Sequence, residues 1–304
     1  MAQGRFIICF DFELAWGRFD KVFDENYLAQ VRLTRKEIVP TLLAILERHK
    51  LPATWAVVGH LMLRGCDGVH DELEPYCPEH FPDWFSKDAG GDDDGSSIWM
   101  CRYVVEQIAA CPTPQELASH SFSHVDFSHP ALPRKRAEQE LELTRDLISE
   151  FGQDMKTHVF PRGREGHLDV LRETGVRVYR TLPQPATGFI PGLSRFASEA
   201  FAPAPPLAKP ERDDMGMVRV DGGMLFNRRG RYRSAIPMSR RVSRAIKGIN
   251  RAASDSGDFI LWSHPVDFAA SPKAMISAFD EICAHAARMH DAKKLEIIPL
   301  RDLA

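Results

Sequence analysis

The chain has 304 residues, of which 44% are hydrophobic and 27% charged, and its formal net charge is -3. This composition is typical of an ordinary globular protein, and the slightly acidic balance argues against a general nucleic-acid binder. No apolar run reaches the roughly 18 residues that a membrane-spanning helix needs.

Short apolar runs rich in β-forming residues alternate with longer segments of helical periodicity along most of the chain. The runs predict strands at residues 5–11, 53–59, 116–120, 156–160, 176–180, 217–220, 259–264 and 295–300. The periodic segments predict helices at 28–50, 99–111, 134–151, 168–174, 239–253 and 272–290. This alternation favours an α/β fold with parallel strands and helices packed outside them, as a barrel or as an open sheet.

Two segments interrupt this alternation. Residues 64–97 are acidic and rich in turn-forming residues, and they include Trp84; a loop of that length is often a lid over a binding site. Residues 182–214 are rich in proline and predict an extended excursion over the surface. We expect one domain over residues 1–304, with a lid-like insertion at about 64–97.

The first predicted strand ends in "FDFELAWG", which contains two acidic residues. Residues two apart on a strand share a face, so Asp11 and Glu13 can point the same way. Carboxyl ends of parallel strands are where α/β folds place their active sites. Trp16 follows directly and is a candidate sugar-binding residue, although it could equally pack in the core.

The stretch "HSFSH" follows another predicted strand and places His120 and His124 four residues apart. If the residues between them form a helical turn, both imidazoles lie on one face. Two imidazoles and a carboxylate form a common three-ligand catalytic zinc site with one coordination position left open. The spacing alone also fits two unrelated surface histidines.

Two later strand ends carry further candidates. Arg162 stands between Pro161 and Gly163 in "FPRG", where it could hold a carboxylate or simply face solvent. His264 ends a predicted strand in "LWSH", a position suited to acid–base chemistry near neutral pH, although a lone histidine is more often structural.

The order of these four motifs resembles the polysaccharide deacetylase family, also known as the NodB-homology or carbohydrate esterase 4 family. "FDFE" corresponds to its acidic motif, "HSFSH" to its H-S/T-x-x-H motif, "FPRG" to its arginine-proline motif and "LWSH" to its leucine-x-x-histidine motif. The resemblance covers residues 10–264, and "HSFSH" satisfies every fixed position of its motif. It implies a distorted (β/α)7 barrel and a metal-dependent hydrolase that removes an N-acyl group, such as acetyl, from an amino sugar.

The chain departs from the family pattern in three places. Its acidic motif is D-x-E where the family usually has two adjacent aspartates, and "PRGRE" replaces a PPYG-like turn. The aspartate–tryptophan motif of the family has no clean counterpart, and Asp221 in "RVDGG" is a poor candidate for it.

The resemblance implies a role for each matched residue. Glu13, His120 and His124 would hold a divalent metal, with zinc preferred for this ligand set. Asp11 would be the base, although the roles of Asp11 and Glu13 could be exchanged. In addition, Arg162 would orient Asp11, and His264 would protonate the departing amine.

Two alternatives remain open at the level of the sequence. One is another C–N amide hydrolase on the same scaffold, either a deformylase or an allantoinase-like enzyme that cleaves cyclic amides. The other is a catalytically silent glycan-binding protein that retains the pocket.

A basic run begins in "FNRRGRYRS" and brings eight Arg or Lys residues between positions 228 and 247. Arginines at a helix end suit phosphate groups, so Arg228, Arg229, Arg231 and Arg233 are candidate binders of a phosphate handle on the substrate. The N-terminus does not resemble a signal peptide, and the six cysteines form no CxxC pair, which favours a cytoplasmic protein. A cytoplasmic enzyme of this family would act on an amino-sugar or glycan precursor carried by a nucleotide or a lipid diphosphate.

Overall fold

The computed structural model describes residues 3–21, 23–78, 83–182, 203–227 and 236–304. All eight predicted strands are present, most of them a few residues shorter or shifted. Four strands of two residues each were not predicted. The strands are β1 Gly4–Phe12, β2 Thr54–Val57, β3 Gly65–Cys66, β4 Gly91–Asp92, β5 Glu116–Ser119, β6 Thr157–Val159, β7 Val178–Thr181, β8 Glu211–Arg212, β9 Val218–Asp221, β10 Met224–Leu225, β11 Asp258–Ser263 and β12 Leu295–Ile297.

Ten of these strands form one sheet in the order β10-β11-β1-β2-β5-β6-β7-β9-β8, with β12 paired to β1. Every pair in it is parallel except β8 with β9. The predicted α/β fold is confirmed. Over the described residues the sheet is a curled half-barrel with free ends at β10 and β8.

Most helices follow the predicted segments, with one long segment divided, and the short helix Pro265–Ala269 was not predicted. The predicted helix at 28–50 begins earlier and is interrupted by a π-helical turn at Thr34–Ile38, where one extra residue enters the turn. The α-helices are α1 Glu25–Leu33, α2 Val39–His49, α3 Arg102–Ala109, α4 Arg134–Ser149, α5 Leu168–Glu173, α6 Met238–Asp255, α7 Pro265–Ala269 and α8 Pro272–Asp291. Within the described ranges, no helix combines the length and the apolar character that crossing a bilayer requires.

Strand β1 lies between β11 and β2 and separates two apolar layers. Phe6, Ile8 and Phe10 belong to the large core beneath the helices. Ile7 and Cys9 face the other way, into the hollow of the half-barrel, together with mostly small side chains from other strands. They include Ala56, Ala118, Val159, Val178, Val218 and Val220, and the larger Ile260 and Trp262 of β11 join them. By the same alternation, Asp11 points into the hollow at its rim.

The insertion at residues 64–97 packs against the rest of the chain where it is described. Trp84 and Phe85 are buried, and Trp84 stacks on Phe19. Asp93 accepts hydrogen bonds from the Arg35 guanidinium at 2.9 Å and from the Arg102 amide at 2.8 Å. Opening of this segment as a lid stays a prediction. A deletion of residues 89–96 would remove Asp93 and so break its buried ion pair with Arg35.

We expect Asp93→Ala to destabilise the protein by about 3 kcal/mol, because it leaves the Arg35 charge buried without its carboxylate. The Arg35 side chain is only 2% exposed. The free energy of unfolding in urea measures the effect. The neighbouring exposed Asp92 provides the control, and Asp92→Ala should change stability by less than about 0.5 kcal/mol. Equal losses for the two variants would show that the Arg35–Asp93 pair does not anchor the insertion.

Candidate active site

The carboxyl ends of several parallel strands surround a cavity of about 210 Å³ at the rim of the half-barrel. Six of the predicted site residues line it together, although they come from positions far apart in the chain: Asp11, Glu13, His120, His124, Arg162 and His264. Arg180, Trp262 and several apolar or small residues complete the lining. The fold therefore brings all four motifs to one place.

Glu13, His120 and His124 form a compact group of possible metal ligands. The Glu13 Oε2 atom lies 3.5 Å from His120 Nε2 and 3.0 Å from His124 Nε2. His120 Nδ1 lies 2.7 Å from the Val159 carbonyl oxygen. A carbonyl can only accept, so Nδ1 carries a proton, and in the neutral imidazole the lone pair of Nε2 faces Glu13.

The turn between the two histidines differs from the expected helical turn. Ser121 and His124 both have φ of 59°, in the left-handed region. The backbone is held there by the amides of Gly59 and His60, which donate to the carbonyls of Ser121 and Phe122 at 2.8 Å. The two imidazoles still converge, with ring centroids 4.9 Å apart.

A buried ion pair supports the same turn from behind. Glu140 on α4 accepts hydrogen bonds from the Ser123 amide at 2.7 Å and from its hydroxyl at 2.6 Å. Arg136 donates to Glu140 at 2.9 Å and to the Ser123 hydroxyl at 3.1 Å. The loop that positions both histidines is therefore fixed by α4 as well as by the sheet.

The charges of the cluster suit a cation. Burial alone would raise the pKa of Glu13, but His264, His120 and His124 outweigh it and hold the pKa well below its usual range. Burial lowers the pKa of His124, which favours the neutral imidazole that a metal binds. The group thus offers one carboxylate and, at His124, a neutral imidazole nitrogen.

Asp11 is paired with Arg180, a residue that the sequence motifs did not single out. Arg180 Nη2 donates to both carboxylate oxygens of Asp11, at 2.5 and 2.7 Å, and both side chains are buried. The expected pairing of Arg162 with Asp11 is wrong. Arg162 has φ of 59°, and its guanidinium turns to Asp20 at 2.8 Å. Arg180 lies near the carboxyl end of β7, and this position is the feature from which the sequence could have identified it as a site residue.

His264 lies beside both carboxylates. Its Nε2 atom is 3.6 Å from Glu13 Oε1 and 3.9 Å from Asp11 Oδ2, and its Nδ1 atom is 3.2 Å from Asp267 Oδ2. Burial lowers the pKa of His264, but Glu13, Asp267 and Asp11 outweigh it and raise the pKa to about 9. Asp267, three residues downstream in the first turn of α7, was missed in the sequence analysis. Asp221, the poor candidate for the aspartate–tryptophan motif, is not among the cavity-lining residues.

Trp16 does not offer a face to a ligand, and the sugar-binding prediction for it is wrong. It is fully buried, stacks on Phe19 with ring centroids 5.2 Å apart and donates its Nε1–H to the Trp99 carbonyl at 3.1 Å. It is a core residue because the segment after Glu13 folds back under the insertion.

The predicted phosphate-binding residues lie outside the described part of the chain. These are Arg228, Arg229, Arg231 and Arg233. Their role stays a prediction.

Comparison with known families fits this geometry. The family model described as polysaccharide deacetylase matches residues 21–179, more than half of the chain. The chain belongs to the polysaccharide deacetylase family. Membership makes it a hydrolase of the type that acts on amide or acetyl bonds. None of the curated proteins matches the chain.

Solved structures share the fold at low sequence identity. A protein of Mycobacterium smegmatis named as a polysaccharide deacetylase aligns with a TM-score of 0.62 and 14% identity, over 99% of this chain and 89% of its own. An allantoinase aligns with a TM-score of 0.58 and 9% identity, over 98% and 87%. A protein of Pseudomonas aeruginosa PAO1 named as a polysaccharide deacetylase gives 0.57 and 10%, over 98% and 88%. The similarity confirms the fold expected from the motifs.

The two arginines of the cavity should differ in their contribution to stability. Arg180→Met leaves Asp11 buried without its cation, and we expect a loss of about 3 kcal/mol. Arg162 and Asp20 are partly exposed, so Arg162→Met should cost less than about 1 kcal/mol. Urea unfolding of both variants measures the difference. A larger loss of stability for Arg162→Met would indicate that Arg162, and not Arg180, is the partner of Asp11.

Proposed function

We propose that this protein is a metal-dependent hydrolase that removes an N-acyl group, in the first instance acetyl, from an amino sugar or a glycan precursor. One observation carries the proposal. A set of metal-binding donors, a carboxylate held by an arginine and a histidine held by an aspartate all face one cavity of about 210 Å³.

The donors present fit a divalent metal. Glu13, His120 and His124 are the residues that would hold it, and their ligand atoms lie within 4.8 Å of one another. One carboxylate and two imidazoles are a common catalytic zinc set, and three protein ligands leave one position open. Such an ion supplies Lewis-acid chemistry, because it polarises the acyl oxygen and lowers the pKa of water.

Asp11 is placed to accept the proton of the attacking water. Its carboxylate lies at the rim of the cavity beside Glu13, and Arg180 fixes its orientation by contacting both oxygens. A base held in this way needs no rearrangement when the proton moves, which favours the transition state.

His264 is placed to protonate the departing amine. Asp267 accepts a hydrogen bond from Nδ1–H, so Nε2 points into the cavity on the side of Glu13 and Asp11. An amine leaves an amide only when it is protonated, and a general acid contributes typically 10²–10⁴-fold to the rate. Asp267 acts on the reaction only through His264 and is a positioning residue.

The same cavity bears on the alternatives. An allantoinase-like or deformylase reaction would use the same acid and base on a different amide. A catalytically silent glycan-binding protein would not need Asp11 and His264 to carry separate charged partners. The amino-sugar substrate, the phosphate handle on it and the cytoplasmic location are parts of the proposal. Substrate screens test the first two, and localisation experiments test the third.

Replacing His120 by Ala should remove bound metal from this site and abolish measurable turnover, because one of three ligands is lost. Metal content by mass spectrometry and acetate release from N-acetylated amino sugars give the two readouts. His129→Ala is the matched control, since His129 follows the same motif but lies outside the cavity lining. The proposal fails if His120→Ala retains the metal content and turnover of the unmodified protein.

Replacing Asp267 by Asn should slow the hydrolysis of N-acetyl sugars by about 10-fold or more, because His264 loses the negative charge that stabilises its protonated, proton-donating form. An acetyl ester with a nitrophenol leaving group needs no protonation, so its hydrolysis should change far less. Asp221→Asn, outside the cavity lining, serves as the control. An equal loss on both substrates would mean that Asp267 does not act through the proton of the leaving group.

A further inference from the structure

The insertion carries a second cluster of possible metal ligands, separate from the active-site group. It consists of His60, which follows β2, together with Cys66, His70 and Asp88. The Nε2 atoms of His60 and His70 lie 2.9 and 3.1 Å from Asp88 Oδ2 and 3.2 Å from each other. The Cys66 sulfur lies 3.4 Å from the same oxygen. Both imidazoles and the carboxylate are buried.

The hydrogen bond of His60 shows that this arrangement needs a positive centre. Its Nδ1 atom lies 3.0 Å from the Trp99 carbonyl oxygen, which can only accept, so Nδ1 carries a proton. In a neutral imidazole, Nε2 would then present a lone pair to the carboxylate oxygen of Asp88 at 2.9 Å. Two lone pairs at that distance repel. Either a proton on Nε2 or a bound cation must lie between His60 and Asp88.

The distances favour a metal ion over a proton. Ligand atoms at tetrahedral corners lie about 3.3–3.6 Å apart when metal–nitrogen and metal–oxygen bonds are about 2.0–2.1 Å and metal–sulfur bonds about 2.3 Å. Three ligand atoms lie 2.9, 3.1 and 3.4 Å from Asp88 Oδ2, and the two Nε2 atoms lie 3.2 Å apart, close to such edges. All four ligand atoms lie within 4.8 Å of one another. If Nε2–H groups of both imidazoles donated to Asp88, the two N–H groups would repel each other at 3.2 Å, whereas one cation can bind both nitrogens and the thiolate at once.

The imidazole ring of His60 is held as metal-binding histidines usually are, with the far nitrogen donating to a backbone carbonyl. His70 packs on Phe85 with ring centroids 4.1 Å apart, which limits access of water. Two imidazoles, a thiolate and a carboxylate fill all four positions of a tetrahedral zinc ion and leave none for a substrate.

The cluster lies where the insertion leaves and rejoins the barrel. Residues 67–68 and 88–90 cross so closely that a Cβ on Gly68 would lie 2.9 Å from the Asp88 carbonyl oxygen, and one on Gly90 would lie 2.8 Å from the Asp67 carbonyl carbon. A metal at this crossing would close the loop between His70 and Asp88 and offset the entropy of ordering it.

The cluster also contacts the catalytic motif. The rings of His60 and His70 lie 5.5 and 6.0 Å from Phe122, the central residue of "HSFSH". Trp84, within the insertion, donates its indole N–H to the Ser123 carbonyl at 2.9 Å. These contacts indicate that the insertion, held in place by the cluster, stabilises the turn that carries His120 and His124.

We infer that His60, Cys66, His70 and Asp88 form a structural site for a zinc-type divalent cation, which fastens the insertion to the barrel beside the catalytic turn. This inference does not depend on the proposed reaction, because it concerns different residues and a site without an open position.

Cobalt substitution tests the site, since only a thiolate ligand gives sulfur-to-cobalt charge-transfer absorption in the near ultraviolet. The active-site group contains no cysteine. We expect the full-length protein loaded with Co²⁺ to show this band and Cys66→Ser to lose it. Cys77→Ser, an exposed cysteine of the same insertion, should retain it, and so should His120→Ala.

The metal content of the variants should also distinguish the cluster around His60 from the active-site group. Cys66→Ser and His120→Ala should each lose one metal equivalent per chain, and the double variant should lose two. A cobalt band that is absent from the wild-type protein, or that persists in Cys66→Ser, would overturn the inference and leave a protonated His60–Asp88 cluster. A band that is present while His120→Ala keeps full activity would instead overturn only the proposed function.

A measurement on the wild-type protein remains decisive if Cys66→Ser does not fold. Zinc should slow alkylation of Cys66 by iodoacetamide at least 10-fold relative to protein treated with a chelator, whereas labelling of Cys77 should be unchanged. Peptide mass spectrometry assigns each label. Equal labelling of Cys66 with and without zinc would contradict the site.

Discussion

The turn after β5 is the constraint on which the rest of the site depends. It places His120 and His124 opposite Glu13, although β5 and β1 are separated by β2. Two residues of the turn have left-handed backbone geometry, which costs of order 1 kcal/mol each and persists only where surrounding contacts impose it. Those contacts come from the segment after β2, from α4 and from the insertion.

The curvature of the sheet makes room for the chemistry. Alanine and valine side chains from β2, β5, β6, β7 and β9 line much of the hollow of the half-barrel, so charged groups at its rim can face a common space instead of being covered. Each of these groups has a partner: Asp11 has Arg180, and His264 has Asp267. Buried charges without partners would cost several kcal/mol, so the pairing stabilises the fold and orients the proposed base and acid.

The alternation of strands and helices and the local motifs were readable from the sequence because both depend on residues close together in the chain. Strand periodicity indicated that Asp11 and Glu13 share a face. The family resemblance, and not the spacing alone, singled out "HSFSH" as a pair of ligands. Arg180 was missed because its partner Asp11 lies 169 residues away in the sequence. The cluster around His60 was missed because short or irregular segments bring its members together, so no strand or helix period links them. Arg162 was assigned to Asp11 because the family places an arginine in that turn, whereas the left-handed backbone directs it to Asp20. Trp16 was open to either reading until its burial was known.

The central claim is that Glu13, His120 and His124 bind a catalytic metal ion. Crystals of the zinc-loaded protein, with diffraction data collected on both sides of the zinc absorption edge, test it most directly. We expect an anomalous peak within about 2.0–2.2 Å of the Glu13 carboxylate and of both Nε2 atoms. Zinc-saturated crystals without a peak at these three residues would contradict the account.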